Sequence, residues 1–170
     1  MEKNLTLEDV KNSVEYKWRK GQIATLLTVW GIIVVASFFL MLFVVLMEKE
    51  VNLFGVGILT WLGCTVFYGL LFFGFILFYA YKNKYLVDNY KKFSVHEVVL
   101  NHLFTSHLYT RSISYTVEFV EQGMEKRVAT NPYFSSSVFS KFTPEEFNNQ
   151  KVVGLYDSSL ERFYIVKKVG

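Results

Sequence analysis

The sequence predicts an α+β integral membrane protein, in which a two-helix transmembrane hairpin is followed by a small, mostly antiparallel β domain of barrel or sandwich type. Residues 21–81 contain no Asp, Glu, Lys or Arg outside the run at 48–50. From Phe93 onward the chain is rich in Val, Ser, Thr, Tyr and Phe, and apolar and polar residues alternate along it. The first feature is typical of membrane-spanning helices and the second of half-buried strands.

Residues 21–81 are too long for a single membrane-spanning helix. Such a helix would extend about 90 Å, whereas a bilayer core about 30 Å thick takes roughly 20 helical residues. The charges at 48–50 would cost on the order of 2.5–3.5 kcal/mol each at the bilayer centre. We therefore expect spans at about 22–47 and 53–81, joined by an external turn at 48–52. The first apolar run is also too long for a cleaved signal peptide.

Positive charges flank the predicted hairpin on the side of both chain termini. Those before the first span are Lys17, Arg19 and Lys20, and those after the second are Lys82, Lys84, Lys91 and Lys92. The positive-inside rule then places both termini in the cytoplasm and the turn outside. We expect a multi-pass protein of the inner cell membrane, with the lipid bilayer as its first partner. The single cysteine, Cys64, lies inside the second span and leaves no disulfide within the chain, which fits a reducing compartment.

Residues 1–20 are predicted to form an amphipathic cytoplasmic helix. Leu7, Val10, Val14 and Trp18 recur at helical spacing, after Thr6 as a candidate N-cap with Asp9 three residues later. Two positions remain open for this helix: it lies on the inner leaflet, or it docks on the cytoplasmic domain. On the leaflet, lysine and arginine side chains would contact lipid headgroups, with the candidates Lys17, Arg19, Lys20, Lys82 and Lys84.

After a basic juxtamembrane linker at 82–92, residues 93–170 are predicted to form the cytoplasmic β domain. In "RSISYTVEFVE" the side chains of Ile113, Tyr115, Val117 and Phe119 fall on one face, which we expect to face the core. A turn at Gly123 and the segment "KRVATN" complete a hairpin, and "KVVGLYD" with "RFYIVKK" predicts a second one. "TPEEF" between them is typical of a short helical turn.

The conformation of residues 94–104 stays ambiguous. "SVHEVVLNHLF" has a capping-box pattern at Ser94 and Glu97, which favours a helix, but its three valines favour a strand. We expect a strand here.

The chain carries no sequence pattern of a known reaction. The G-x-S-x-G, Walker, H-E-x-x-H and paired-cysteine patterns are absent from the sequence, so we expect neither catalysis nor a cofactor. On a strand, His107 would point away from His96 and His102, so we expect no metal site. The net charge of +3 is divided between the flanks of the hairpin, which indicates membrane topology and not nucleic-acid binding.

The loop segment "NPYFSS" provides the candidate partner-binding residues, Pro132, Tyr133 and Phe134. Aromatic side chains on a loop stiffened by proline are suited to anchoring a partner protein. The same two aromatic rings could instead fill the core of the β domain.

The segments "SYTVEFVEQGMEKRVATNPYFSS" and "KVVGLYDSSLERFYIVKKVG" resemble a family of small bacterial membrane proteins with a short β domain. In that family a Y-x-V-x-F strand leads to a Gly turn, and a late V-x-x-x-Y-D strand precedes the final hairpin. The resemblance covers the C-terminal part of the chain and implies a domain of unknown function with no catalytic residue to transfer. This chain departs from the pattern at Ser158 and Ser159, where such domains often have Pro or Asn.

These observations together predict a non-enzymatic inner-membrane protein whose β domain binds a partner protein or the membrane surface, in an accessory, regulatory or immunity role. The small residues that recur in the spans are suited to packing of the two helices within one chain or, alternatively, to contacts in a homo-oligomer. The alternative is a subunit of a small oligomeric channel or transporter, lined by Thr25, Thr28, Ser37, Thr60, Cys64 and Tyr68.

Overall fold

The computed structural model describes residues 5–48, 51–106, 112–134 and 144–169, and this part of the chain is α+β. The helices are α1 (Leu7–Lys11), α2 (Val14–Glu48) and α3 (Val51–Asn89). The strands are β1 (Ser94–Val99), β2 (Asn101–Ser106), β3 (Ser112–Glu121), β4 (Met124–Ala129), β5 (Tyr133–Phe134), β6 (Lys151–Asp157) and β7 (Arg162–Lys168). Short 3₁₀ turns lie at Tyr90–Lys92 and Pro144–Phe147. The predicted class of two long apolar helices with antiparallel sheets is confirmed.

The N-terminal segment forms two helices where the sequence predicts one. Thr6 and Asp9 form the expected capping box: the Thr6 hydroxyl accepts from the Asp9 backbone N–H, and the Thr6 N–H donates to the Asp9 carboxylate. After α1, the Ser13 hydroxyl accepts from the Tyr16 N–H at 3.2 Å in the first turn of α2. Since Asn and Ser side chains compete for backbone groups, Asn12 and Ser13 divide the predicted helix.

The break directs α1 onto the β domain. Val10 is fully buried in an apolar cluster that also contains Leu86 and Leu155. Lys167 Nζ lies 3.1 Å from the Asp9 carboxylate, and the hydrogen bonds from Thr6 and Lys167 lower the pKa of Asp9 to about 2. Of the two positions left open for the N-terminal segment, the structure shows docking on the domain.

Helices α2 and α3 are each long and apolar enough to cross a membrane. The mean hydropathy of their most apolar 18-residue stretches is 2.9 and 2.0, and neither stretch is buried within the protein. Both helices continue beyond the predicted spans, α2 from Val14 and α3 to Asn89, so most of the predicted linker at 82–92 is helical. Residues 49–50, at the centre of the predicted external turn, lie outside the described residues.

The two long helices pack against each other along the hairpin. A Cβ atom added at Gly57 would lie 3.2 Å from Val45 Cγ2, so this glycine lets the helices approach closely. Trp61 Nε1 donates to the Ser37 hydroxyl at 3.0 Å. These contacts lie within one chain, whereas Cys64 is exposed on the outer surface of α3.

The β domain contains two antiparallel sheets. The first sheet has the order β1-β6-β7. In the second sheet, β3 lies between β2 and β4 and also pairs with β5. The ambiguous residues 94–104 thus belong to strands, one in each sheet. Leu100 lies between β1 and β2, where the chain passes from the first sheet to the second. Its N–H donates to the Gln150 carbonyl at 3.0 Å, and its carbonyl accepts from the Asn149 N–H at 2.9 Å.

The first sheet is covered on both faces, which makes β6 buried at every position after Lys151. On one face Leu155, Tyr164 and Val166 meet α1 and the end of α3. On the other face, the side chains of the first sheet meet those of the second in one core cluster, which includes Ile113, Tyr115, Val117, Val152, Tyr156, Phe163 and Ile165. The predicted core face of β3 is confirmed, with Phe119 half-buried at its end.

A close approach inside the first sheet requires glycine at position 154. A methyl group there would overlap the ring of Phe163, which is fully buried, and lie 2.8 Å from the Tyr164 carbonyl oxygen. The pairing of β6 with β7 shifts register between Val153 and Gly154. The aromatic ring on β7 therefore occupies the space that a side chain would take on β6.

The assignment of faces on β3 predicts opposite outcomes for two neighbouring substitutions. Val117→Asp should place an unpaired carboxylate in the core and destabilise the domain by about 3 kcal/mol, while the outward Thr116→Asp should change stability by less than about 1 kcal/mol. Limited proteolysis of the detergent-solubilised protein in a urea series measures the difference. Equal protease resistance of the two variants would show that the face assignment is wrong.

Candidate functional site

The most concentrated polar site of the described chain is built around Glu15, in the first turn of α2. Its carboxylate is fully buried. Tyr133 donates its hydroxyl proton to Oε2 at 2.6 Å, and Asn131 Nδ2 donates to Oε1 at 2.8 Å. Arg19 Nη2 donates to the same Oε1 at 2.5 Å. Three donors thus satisfy a carboxylate that water does not reach, as a buried charge requires.

Arg19 extends this site to α3 and β7. It lies one helical turn after Glu15, the spacing at which helix side chains meet, and its side chain is 3% exposed. Its Nη1 donates to the Lys82 carbonyl at 3.0 Å. Its guanidinium carbon lies 5.7 Å from the ring centroid of Tyr164, within the range of a cation–π contact. We call Glu15, Arg19, Asn131 and Tyr133 the Glu15 cluster.

Tyr133 is completely buried, and its ring packs edge-on against Trp18 at a centroid distance of 5.3 Å. The loss of water around the ring and the negative charge of Glu15 raise the pKa of Tyr133 well above its usual value. The hydroxyl therefore keeps its proton and donates it to Glu15. The structure corrects the surface-anchor interpretation for this residue, since Tyr133 fills the core; Pro132 is exposed, and the side chain of Phe134 lies outside the described part of the chain.

The predicted headgroup contacts divide into two groups. Lys17, Lys20 and Lys84 are exposed, and Lys82 is half-buried with Nζ 4.3 Å above the ring of Phe78. The structure corrects the predicted headgroup contact of Arg19. Its guanidinium is buried and bonded to Glu15 and to the backbone of α3, so it is not available to a lipid.

A second polar cluster joins the two sheets at Ser94, His96 and Glu121. The Ser94 hydroxyl donates to Glu121 Oε1 at 2.7 Å, and His96 Nε2 lies 2.9 Å from the Ser94 oxygen. The imidazole stacks on Phe119 at a centroid distance of 4.2 Å. Partial burial lowers the pKa of His96 against the opposing effect of Glu121.

The order of groups in this second cluster differs from that of a nucleophilic triad. Since the Ser94 proton points at Glu121, the serine oxygen accepts the N–H of His96, and the imidazole acts as a donor. A catalytic serine needs the reverse bond, with the imidazole accepting the serine proton. This arrangement links β1 to β3, and we assign it a structural role. His102 and His107 were considered with His96 as metal ligands. The side chain of His102 and the whole of His107 lie outside the described residues.

A surface groove of about 450 Å³ lies on the β3–β4 hairpin. Its lining combines acidic, basic and apolar residues: Glu118, Phe119, Val120, Glu125, Lys126 and Arg127. Val120 is 61% exposed and Met124, beside the turn at Gly123, is 58% exposed. Val120 is paired with Glu125 and Met124 with Glu121, so the two exposed apolar side chains lie on opposite faces of the hairpin.

The sequence pattern did not single out Glu15 or Asn131. One local signal was present, because Glu15 and Arg19 have the spacing of an intrahelical ion pair next to the predicted apolar face. No local signal marks Asn131, whose separation from Glu15 is 116 residues.

No protein-family model matches the chain, and neither a curated protein nor a solved structure matches it. The resemblance noted in the sequence is therefore not supported by a matched family, and any function must be argued from the geometry of this chain.

The Glu15 cluster predicts a large and specific effect of removing the carboxylate. Glu15→Ala should leave the Arg19 guanidinium buried without its counter-ion, remove the carboxylate acceptor of Asn131 and Tyr133, and destabilise the protein by about 3–5 kcal/mol. The urea concentration at which the β domain becomes protease-sensitive in detergent measures this loss.

Glu8→Ala is the matched control, since Glu8 is an exposed glutamate on the neighbouring α1 and its loss should leave stability nearly unchanged. Tyr133→Phe removes one donor and should destabilise by about 1.5–3 kcal/mol, the range for hydrogen bonds to charged groups. The account of the cluster is wrong if Glu15→Ala and Glu8→Ala unfold at the same urea concentration.

Proposed function

We propose that this protein is a two-span integral protein of the cell membrane whose β domain acts by binding and not by catalysis. The observation that carries the proposal is the unburied apolar surface of α2 and α3, on which Leu40 is 67%, Leu46 75% and Leu59 71% exposed. A helix that is apolar all round needs an apolar environment on every side. Two such helices packed side by side match a bilayer, whose core takes roughly 20 helical residues of each.

In the proposed topology, both chain termini and the β domain lie on the same side of the membrane. Helix α2 enters from the domain and α3 returns to it, since Arg19 and Lys82 meet at the Glu15 cluster. Lys17, Lys20 and Lys84 are exposed near these helix ends. By the positive-inside rule, these charges support a cytoplasmic domain and an external turn at 48–52.

The proposed activity is the binding of a partner protein at the β3–β4 hairpin, in an accessory, regulatory or immunity role. Val120 supplies exposed apolar area in the groove, and Glu118, Glu125 and Arg127 lie on the same face of the hairpin. An apolar centre with a polar rim is the common anatomy of protein interfaces. The two polar clusters described above are used to hold the fold together, which supports binding over catalysis.

A channel lined by the hydroxyl-bearing residues of the spans has less support. The Thr25 hydroxyl donates to the Gly21 carbonyl at 2.9 Å, and the Ser37 hydroxyl donates to the Val34 carbonyl at 3.0 Å. Both groups are bonded to their own helix.

The proposed topology predicts opposite accessibility of two cysteines introduced into a Cys64→Ser background. Lys49→Cys should react with a membrane-impermeant maleimide in intact cells, because the turn is outside. Ser158→Cys, at an exposed position of the β domain, should react only after the membrane is permeabilised. Reaction of position 158 in intact cells would overturn the topology.

The proposed binding surface predicts a site-specific cross-link in living cells. A photoreactive amino acid at Val120 should give a discrete cross-linked product with a partner protein. The control position is Ser114, on the outward face of the same strand and away from the hairpin turn. The proposed surface is wrong if Val120 gives no product, or the same products as Ser114.

A further inference from the structure

The turn between β6 and β7, residues 158–161, has a fixed position relative to α3. We infer that this turn rests in the headgroup layer of an anionic phospholipid bilayer, with Leu160 as its apolar anchor and Arg162 as its contact to lipid phosphate. The inference rests on the membrane insertion proposed above and adds a second, peripheral contact between the β domain and the same membrane.

The turn is held rigidly by Asp157. One carboxylate oxygen accepts from the Ser159 N–H at 2.9 Å, from the Ser159 hydroxyl at 2.6 Å and from the Leu160 N–H at 3.3 Å. Leu160 is 54% exposed at this position. A turn that is already ordered loses little conformational freedom when it contacts a surface, so the exposed leucine is well placed to act as an anchor.

Tyr85 ties the turn to α3 close to the membrane. Its hydroxyl donates to the other oxygen of Asp157 at 2.9 Å and lies 3.2 Å from the Ser159 hydroxyl. Tyr85 lies four residues after Tyr81, the end of the predicted span, which is about 6 Å along the helix. Side chains on a helix tilt toward its N-terminus, and for α3 that direction leads back to the membrane.

The contacts along the β6–β7 hairpin support a turn that points toward the membrane. Leu155 packs in the cluster that contains Leu86, and Asp157, nearer the turn, bonds to Tyr85. Partial burial lowers the pKa of Lys82, and the positive charges of Arg19 and Arg162 lower it further against the opposing effect of Glu15. Positions nearer the turn thus meet earlier positions of α3, which are closer to the bilayer.

The charge around the turn fits an anionic surface. Arg162 and Lys84 are exposed and Lys82 is half-exposed, whereas Glu161 is the exposed acid of the turn. With the buried Asp157 included, their sum is still positive, and an exposed apolar side chain in a region of net positive charge is the pattern of an interfacial membrane contact. Tyr81, 70% exposed at the end of the span, adds an aromatic ring of the kind found at membrane interfaces.

The test measures the depth of single fluorophores in proteoliposomes of phosphatidylcholine and phosphatidylglycerol. In a Cys64→Ser background, Leu160→Cys carries an environment-sensitive fluorophore, and lipids bearing a nitroxide at the headgroup or in the middle of the acyl chain act as quenchers. Val99→Cys is the matched control, since Val99 is an exposed apolar residue at the opposite end of the first sheet. Leu40→Cys reports on insertion of α2.

We expect blue-shifted emission and strong headgroup quenching at position 160, and neither at position 99. Arg162→Gln should reduce the quenching at 160 in vesicles that contain phosphatidylglycerol and leave it unchanged in pure phosphatidylcholine. Position 40 should be quenched by the acyl-chain nitroxide. If position 40 is quenched but positions 160 and 99 behave alike, the turn contact is wrong and membrane insertion stands. If position 40 is not quenched, insertion fails and the turn contact fails with it.

Discussion

The arrangement of helices and sheets depends on the hydrogen bonds that the buried carboxylate of Glu15 accepts. Moving a carboxylate out of water costs several kcal/mol even after relaxation, so it is stable there only while every donor reaches it. Its donors come from α2 itself, from the segment after β4 and from β5. Because Arg19 also bonds to the backbone of α3, one carboxylate sets the position of both long helices and of the second sheet.

The β domain in turn depends on the helices for part of its core. Trp18 of α2 lies in the cluster between the two sheets, while Val10 and Leu86 cover the outer face of the first sheet. A domain of this size buries a modest fraction of its surface and is marginal alone. In this structure, α1 and the ends of α2 and α3 add to that core.

Local patterns were enough to predict much of the fold, since they depend on neighbours a few residues apart. Long apolar runs predicted α2 and α3, alternation predicted the core face of β3, and residue type predicted the cap at Thr6. The Glu15 cluster could not be predicted in this way, because Tyr133 lies 118 residues from Glu15. The sequence predicts Arg19 at the lipid surface and leaves Tyr133 either on the surface or in the core, since a sequence does not show which polar side chains find buried partners.

The long separation between Glu15 and its partners also affects how the chain is made. A ribosome adding about 5–20 residues per second completes the 116 residues from Glu15 to Asn131 in roughly 6–23 s. During that interval α2 has been synthesised, while neither Asn131 nor Tyr133 is available to bond Glu15. Glu15 and Arg19 must therefore stay hydrated, without the bonds from Asn131 and Tyr133, until β5 emerges. A chain that ends before residue 131 would leave this charged pair without those two donors. Such a chain would be incompletely folded at the Glu15 cluster and a substrate for quality-control proteases.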